Sequence, residues 1–331
     1  MGEIPVIDLG PYFSGGADGK AKVAAAVDRA CTDIGFLIVT GHGVPADLIQ
    51  EMRTVSRRFF DLPMAAKMGY KMPDDRYRGY TAFGGEALSY SLGDESPPDL
   101  KEGFSIGPCD TPKDAYHLAG GNFFADNMWP AEMPELRPVW TRYYNAMEGL
   151  ATGLMRIFAL GLGMDEHFFD GKVDHHITNF TAMHYPPVEG EVLPNQLRGG
   201  AHTDYGSLTI VQRDDSPGGL QVLDKSGAWI DAPYVPDSFV INLGDLMAEW
   251  TNDRWVSTLH RVVPPPPEAA ATADRLSLLF FHQPNYDARI EVLPTCTGPD
   301  NPPKYGNTTS GEHVLEKIRR HRTPGLESAA E

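Results

Sequence analysis

From Gly171 onward the chain is cut into seven short β-prone runs separated by turn residues, and this pattern narrows the fold more than any other feature. The runs are Ile177 to Tyr185, Leu208 to Gln212, Leu220 to Leu223, Phe239 to Leu243, Val256 to Val263, Arg275 to Phe281 and Ile290 to Leu293. D-D-S-P-G-G, D-K-S-G and P-P-P-P-E punctuate them as turns or loops. Seven such runs at short intervals predict a β-sandwich or jelly-roll barrel. Before Gly171 the texture differs. Ile4 to Leu9 reads as a short strand, Ala21 to Ile34 as a helix, Phe36 to Val39 as a buried strand and Pro45 to Phe60 as a second helix. Tyr70 to Pro130 is rich in Gly, Pro, Asp and aromatics and reads as long loops with short helical pieces, the kind that form lids or binding loops. Glu135 to Leu162 reads as a long core helix with Trp140, Tyr143, Met147, Leu150, Leu154 and Phe158 along one face. Ser310 to His321 reads as a closing helix, and Thr323 to Glu331 as a frayed polar tail. The expected fold class is mainly β with flanking helices.

The 331 residues can bury a large core, as one large domain or two modest ones. A formal net charge of −17 argues against sequence-independent nucleic-acid binding and against an anionic membrane surface. Three cysteines, Cys31, Cys109 and Cys296, lack metal-like spacing and suit a reduced compartment better than a disulfide scaffold. The first residues have neither a basic stretch nor a long apolar one, and no run reaches membrane-spanning length. A cytoplasmic protein is expected, acting on a small molecule as a monomer or weak homo-oligomer.

Chemistry enters in A-H-T-D-Y-G-S-L-T-I-V-Q, from Ala201 to Gln212. In an extended strand, residues i and i+2 share a face, so the imidazole of His202 and the carboxylate of Asp204 project together. That pair is two thirds of a two-His-one-carboxylate site for non-haem Fe(II). His260, in V-S-T-L-H-R-V-V and 56 residues beyond Asp204, can return beside it in a rolled sheet. Three ligands on one side of the metal leave positions open for a bidentate cosubstrate and oxygen. Fifteen residues later Arg275 and Ser277 share a face of the apolar strand R-L-S-L-L-F-F. A buried guanidinium needs an anion, and its planar fork suits a carboxylate, whether a structural acid or a ligand.

These motifs in this order resemble the isopenicillin-N-synthase-like Fe(II)- and 2-oxoglutarate-dependent oxygenases. The resemblance runs through I-P-V-I-D-L, G-F-L-I-V-T-G-H-G-V, R-R-F-F-D-L-P and R-G-Y, and more specifically through H-Y-P-P, the H-T-D stretch, G-G-L-Q-V, V-I-N-L-G-D and the His260 and Arg275 strands. It implies a double-stranded β-helix, a cupin-like jelly roll. It also implies a division into an N-terminal non-catalytic domain (1–130), the long core helix (131–171), the catalytic jelly roll (172–295) and a C-terminal loop, helix and tail (296–331). It implies Fe(II) on His202, Asp204 and His260, with the distal carboxylate of 2-oxoglutarate on Arg275, Ser277 and Tyr185 and O2 as second cosubstrate. Succinate and CO2 would be released as the substrate is hydroxylated, desaturated or cyclised. Many relatives carry Asn two residues before the tyrosine, where this chain has Met183, which points to a more apolar pocket. Tyr80, Phe83, Tyr90, Phe104, Met183, Phe281 and Gln283 are candidate pocket walls for a partly apolar metabolite of small to medium size. Two other readings stand beside this one: an iron oxidase of the same fold that consumes no 2-oxoglutarate, and a non-catalytic binding module.

Overall fold

The computed structural model describes residues 3–73, 76–89, 96–188 and 192–322. Tyr90 and the tail from Thr323 to Glu331 lie outside the described residues. The strands are β1 (Val6–Asp8), β2 (Phe36–Thr40), β3 (Gly79–Thr81), β4 (Glu102–Ile106), β5 (Asn179–Tyr185), β6 (Gly199–His202), β7 (Leu208–Arg213), β8 (Gly219–Leu223), β9 (Trp229–Asp231), β10 (Phe239–Leu243), β11 (His260–Val263), β12 (Arg275–His282), β13 (Arg289–Ile290) and β14 (Thr308–Thr309). A major sheet runs β1-β2-β10-β7-β12-β5-β4-β3, and a minor sheet runs β6-β11-β8-β9. Only β1 and β2 pair in parallel in these two sheets.

Period-two alternation decides which side chain meets which layer. Leu37, Ile241, Ile210, Phe280 and Phe180 point to one face of the major sheet, where the helices Gly16–Asp33, Ala46–Phe60 and Leu136–Gly161 complete the main core. Trp140 is fully buried there, edge-on to Phe104 and Phe180 at 5.4 and 5.1 Å between ring centres. The opposite face, with Phe36, Ile38 and Val240, packs against Val222 of the minor sheet as a second, smaller core. The space between the two sheets is the jelly-roll interior.

Several expected elements moved. Residues read as loop between Tyr70 and Pro130 contain β3 and β4, which extend the major sheet beyond β5. E-G-F-S-I has a charge and a glycine where a strand reading wants apolar residues, and its pairing with β5 and β3 makes it a strand. The strand expected over Ile290 to Leu293 is a two-residue ladder, β13 with β14, outside both sheets. β6 and β9 were not anticipated, and β11 starts at His260 rather than Val256.

On the helix side of the major sheet, His184 sits between two carboxylates. Nδ1 lies 2.8 Å from Glu102 Oε1 and Nε2 lies 2.8 Å from Asp274 Oδ1, while the ring stacks on Phe60. Burial works to lower its pKa, but the two acids outweigh burial and raise it above the ordinary value. A raised folded-state value means that the stabilisation is fully present below the unfolded value of about 6.5 and is lost as pH rises through the folded one. The difference in Tm between the parent and His184→Gln is therefore expected to shrink as pH is raised from near 6 into the alkaline range. A pH-independent difference would show that the charged imidazolium contributes nothing.

Candidate active site

β6 ends on His202 at the rim of the interior, the turn after it brings Asp204 alongside, and the antiparallel pairing of β11 with β6 sets His260 directly opposite His202. Asp204 Oδ1 lies 3.6 Å from His202 Nε2 and 3.8 Å from His260 Nε2. The three ligand atoms lie within 4.8 Å of one another, and no other group of three potential metal ligands of this kind occurs among the described residues. Each imidazole has its Nδ1 on a backbone carbonyl: His202 on Gly200 at 2.7 Å, His260 on Thr258 at 3.1 Å. An Nδ1–H donating to a carbonyl leaves Nε2 with its lone pair toward Asp204, the tautomer a metal ligand needs. Asp204 Oδ2 accepts from Thr209 Oγ1 at 2.6 Å and from Asn242 Nδ2 at 2.7 Å, which leaves Oδ1 to face the imidazoles.

Electrostatics agree with this geometry. Burial, reinforced by the neighbouring His260, lowers the pKa of His202 and keeps its imidazole neutral. Burial works to raise the Asp204 carboxyl, but the two imidazoles and the hydrogen bonds from Thr209 and Asn242 outweigh it and hold the group below the usual carboxylate range. Two imidazole nitrogens and one carboxylate oxygen on one side of an open space form the donor set of a non-haem Fe(II) centre. Phe36, from the N-terminal part of the chain, backs His260 edge-on at 5.3 Å.

Deeper in the interior, β12 presents Arg275 and Ser277 on the same sheet face as Thr209 and Val211, because Ser277 pairs with Arg213 and Phe281 with Thr209. Arg275 is buried, with Tyr185 of β5 as its register partner, and donates from Nη1 to Ser216 O at 3.1 Å. No carboxylate among the described residues forms an ion pair with it. A Cβ on Gly219 would lie 2.9 Å from its Nη1, so the second glycine of G-G-L-Q-V makes room for the guanidinium. Burial, eased by Lys101 and Arg275, raises the Tyr185 pKa, so its phenol keeps its proton and can donate. Arg213 lies on the same face, its pKa pushed down to about 10 by burial and then by Arg275, and remains charged at neutral pH.

The pocket-wall expectations divide. Met183 and Phe281 share the interior face with Ser277, and Gln283 is buried beside Gly206 of the H-T-D-Y-G turn. Tyr80 and Phe104 are not pocket walls: they pair with each other on the opposite face and join the helix-side core, where Tyr80 donates to Glu102. Phe83 is exposed in the turn after β3. Sequence reading passed over Thr209, Asn242 and Arg198. Asn242 had a signal, since it is the one polar residue in F-V-I-N-L and shares a face with Val240.

Residues 174–284 match the family model of the 2OG-Fe(II) oxygenase superfamily, and residues 4–132 match that of the non-haem dioxygenase in morphine synthesis N-terminal domain. The chain belongs to the 2OG-Fe(II) oxygenases. The oxygenase is 32% identical over 320 residues to validamycin A dioxygenase of Streptomyces hygroscopicus subsp. limoneus, covering 96% of this chain and 86% of that one. It is 34% identical over 329 residues to homoarginine-6-hydroxylase of Glycine max, covering 95% and 96%. Among solved structures, a full-length Neurospora crassa protein in complex with alpha-KG and thymine superposes with a TM-score of 0.84 at 32% identity, covering 95% of this chain and 96% of that one. The oxygenase is an Fe(II)- and 2-oxoglutarate-dependent dioxygenase with a jelly-roll core, acting on a small molecule. Of the three activities the sequence left open, this is the one its relatives carry. No helix among the described residues is long and apolar enough to cross a membrane.

Proposed function

We propose that His202, Asp204 and His260 hold the ferrous ion, and that Arg275, Ser277 and Tyr185 receive the distal carboxylate of 2-oxoglutarate. The observation that carries this reading is Arg275: a buried cation without an acidic partner among the described residues, on the interior face that also carries Thr209, the hydrogen-bond donor to Asp204. When bound, the iron supplies the oxidative decarboxylation that yields succinate, CO2 and the power to remove hydrogen from a C–H bond. The chain does the rest. Thr209 and Asn242 aim the Asp204 carboxylate, the Gly200 and Thr258 carbonyls fix the imidazole tautomers, and Met183, Phe281 and Val211 supply apolar surface on the interior face.

The substrate is a small to medium-sized, partly apolar metabolite, and Met183, Phe281 and Gln283 are its proposed contacts. Hydroxylation is the default outcome; desaturation or ring closure needs only a different substrate pose. The net charge of −17 disfavours nucleic acid and polyanions as partners. A cytoplasmic monomer or weak homo-oligomer completes the reading.

The test is a metabolite screen for O2-dependent succinate release, with product masses recorded for each hit. A true substrate is expected to stimulate succinate formation and to gain one oxygen or lose two hydrogens. A substrate oxidised without succinate would replace this reading with that of a 2-oxoglutarate-independent oxidase.

A further inference from the structure

Arg198 lies immediately before β6 and is fully buried. Its backbone N–H donates to Val262 O at 3.0 Å, and a register shift between Gly199 and His202 interrupts strand alternation there, so the contacts of the guanidinium fix where the side chain goes. Nη2 donates to Ala273 O at 2.5 Å and to Pro186 O at 3.3 Å. Those carbonyls flank β12 and β5 at the end where Arg275 and Tyr185 are register partners. The guanidinium of Arg198, from the minor-sheet side, therefore closes over the same end of the interior as that of Arg275 on the major sheet.

Among the described residues the remaining donors there lack partners: Nε and Nη1 of Arg198 are buried with no hydrogen bond, as is the hydroxyl of Ser216, whose carbonyl takes Arg275 Nη1. Two guanidiniums in one dry space repel, and each unmet buried N–H is costly. Of the acids of this region, Asp214 bonds Arg53 and Arg57 through Oδ2 and keeps Oδ1 buried without a partner, and Asp274 bonds Arg57 and His184 on the helix side; neither forms an ion pair with Arg198 or Arg275 among the described residues. A carboxylate offers about four lone-pair sites, enough for two guanidinium forks at once.

We propose that Arg198 is a second positioning residue for 2-oxoglutarate, gripping the distal carboxylate from the minor-sheet side while Arg275 grips it from the major sheet. This rests on the reading that the Arg275 end receives the cosubstrate. The experiment is anaerobic calorimetry of 2-oxoglutarate binding to the Fe(II)-loaded parent, Arg198→Met, Arg198→Lys and Arg275→Met. Fe(II) affinity without 2-oxoglutarate and the Tm of the metal-free protein are recorded for each. Arg198→Met is expected to raise the Kd for 2-oxoglutarate about tenfold or more, with Fe(II) affinity unchanged and Tm unchanged or raised, and Arg198→Lys is expected to recover part of the loss. A structural arginine would instead lower Tm and leave Kd alone. If Arg198→Met does not fold, Arg198→Lys decides, since an unchanged Kd there overturns the proposal. An unchanged Kd in both Arg198 variants with a raised one in Arg275→Met removes Arg198 only. An unchanged Kd in Arg275→Met removes the cosubstrate site itself.

Discussion

Replacing His260 with alanine is expected to bring iron-dependent turnover to background and to weaken Fe(II) binding severely, while the metal-free protein still folds. The effect is large because the donor set has no spare: His202, Asp204 and His260 form the only three-residue ligand group among the described residues. Losing one imidazole leaves only His202 and Asp204 to hold the ion. The fold should survive because His260 contributes one ring against Phe36 at the rim, whereas the main core on the far side of the sheet is untouched. Truncating one such partly packed side chain costs a few kcal/mol at most, on the order of 1–3. Calorimetric Fe(II) titration, succinate release and a thermal melt give the three readouts. A variant that kept parental activity would remove His260 from the metal site.

Arg275→Lys is expected to raise the 2-oxoglutarate requirement about tenfold or more, and Arg275→Met about a hundredfold. A charge-assisted hydrogen bond contributes roughly 1.5–3 kcal/mol, and 1.4 kcal/mol is a factor of about ten. Lysine preserves the charge but loses the planar fork that can bond both carboxylate oxygens. The KM for 2-oxoglutarate should move while Fe(II) affinity stays, because Arg275 lies away from the metal-facing atoms of Asp204. A parental 2-oxoglutarate requirement in both variants would place the cosubstrate elsewhere.

The chemistry was more legible in the sequence than the architecture around it. H-T-D, the later histidine on a β run and Arg-x-Ser are local patterns; strand alternation places Arg275 and Ser277 on one face, whereas His202 and Asp204 meet through the turn that follows β6 rather than along a strand. Register is not local. Whether Phe104 faces substrate or helices depends on its pairing with Ala182 and Tyr80, which no single run records. β3, β4 and β6 escaped because they are short and carry glycine or charge, so that their partners rather than their own composition make them strands. Arg198 escaped for a related reason: it precedes two glycines outside any alternating run, and its importance comes from the carbonyls of Pro186 and Ala273.

The place of β2 in the major sheet has a consequence for how the chain is made. Its partner along the whole of one edge is β10, roughly 200 residues later. Synthesis proceeds at about 5–20 residues per second, so β2 waits roughly 10–40 s on the ribosome before that partner exists. Through that interval F-L-I-V-T is an apolar strand with an open edge, the kind of segment that recruits another nascent chain. β4 is in the same position until β5 emerges. The helices Gly16–Asp33 and Ala46–Phe60 form from local contacts and can cover one face of β2 meanwhile, but they cannot close its edge. Yield in a foreign host should therefore depend on chaperone supply and translation speed more than on the stability of the finished enzyme.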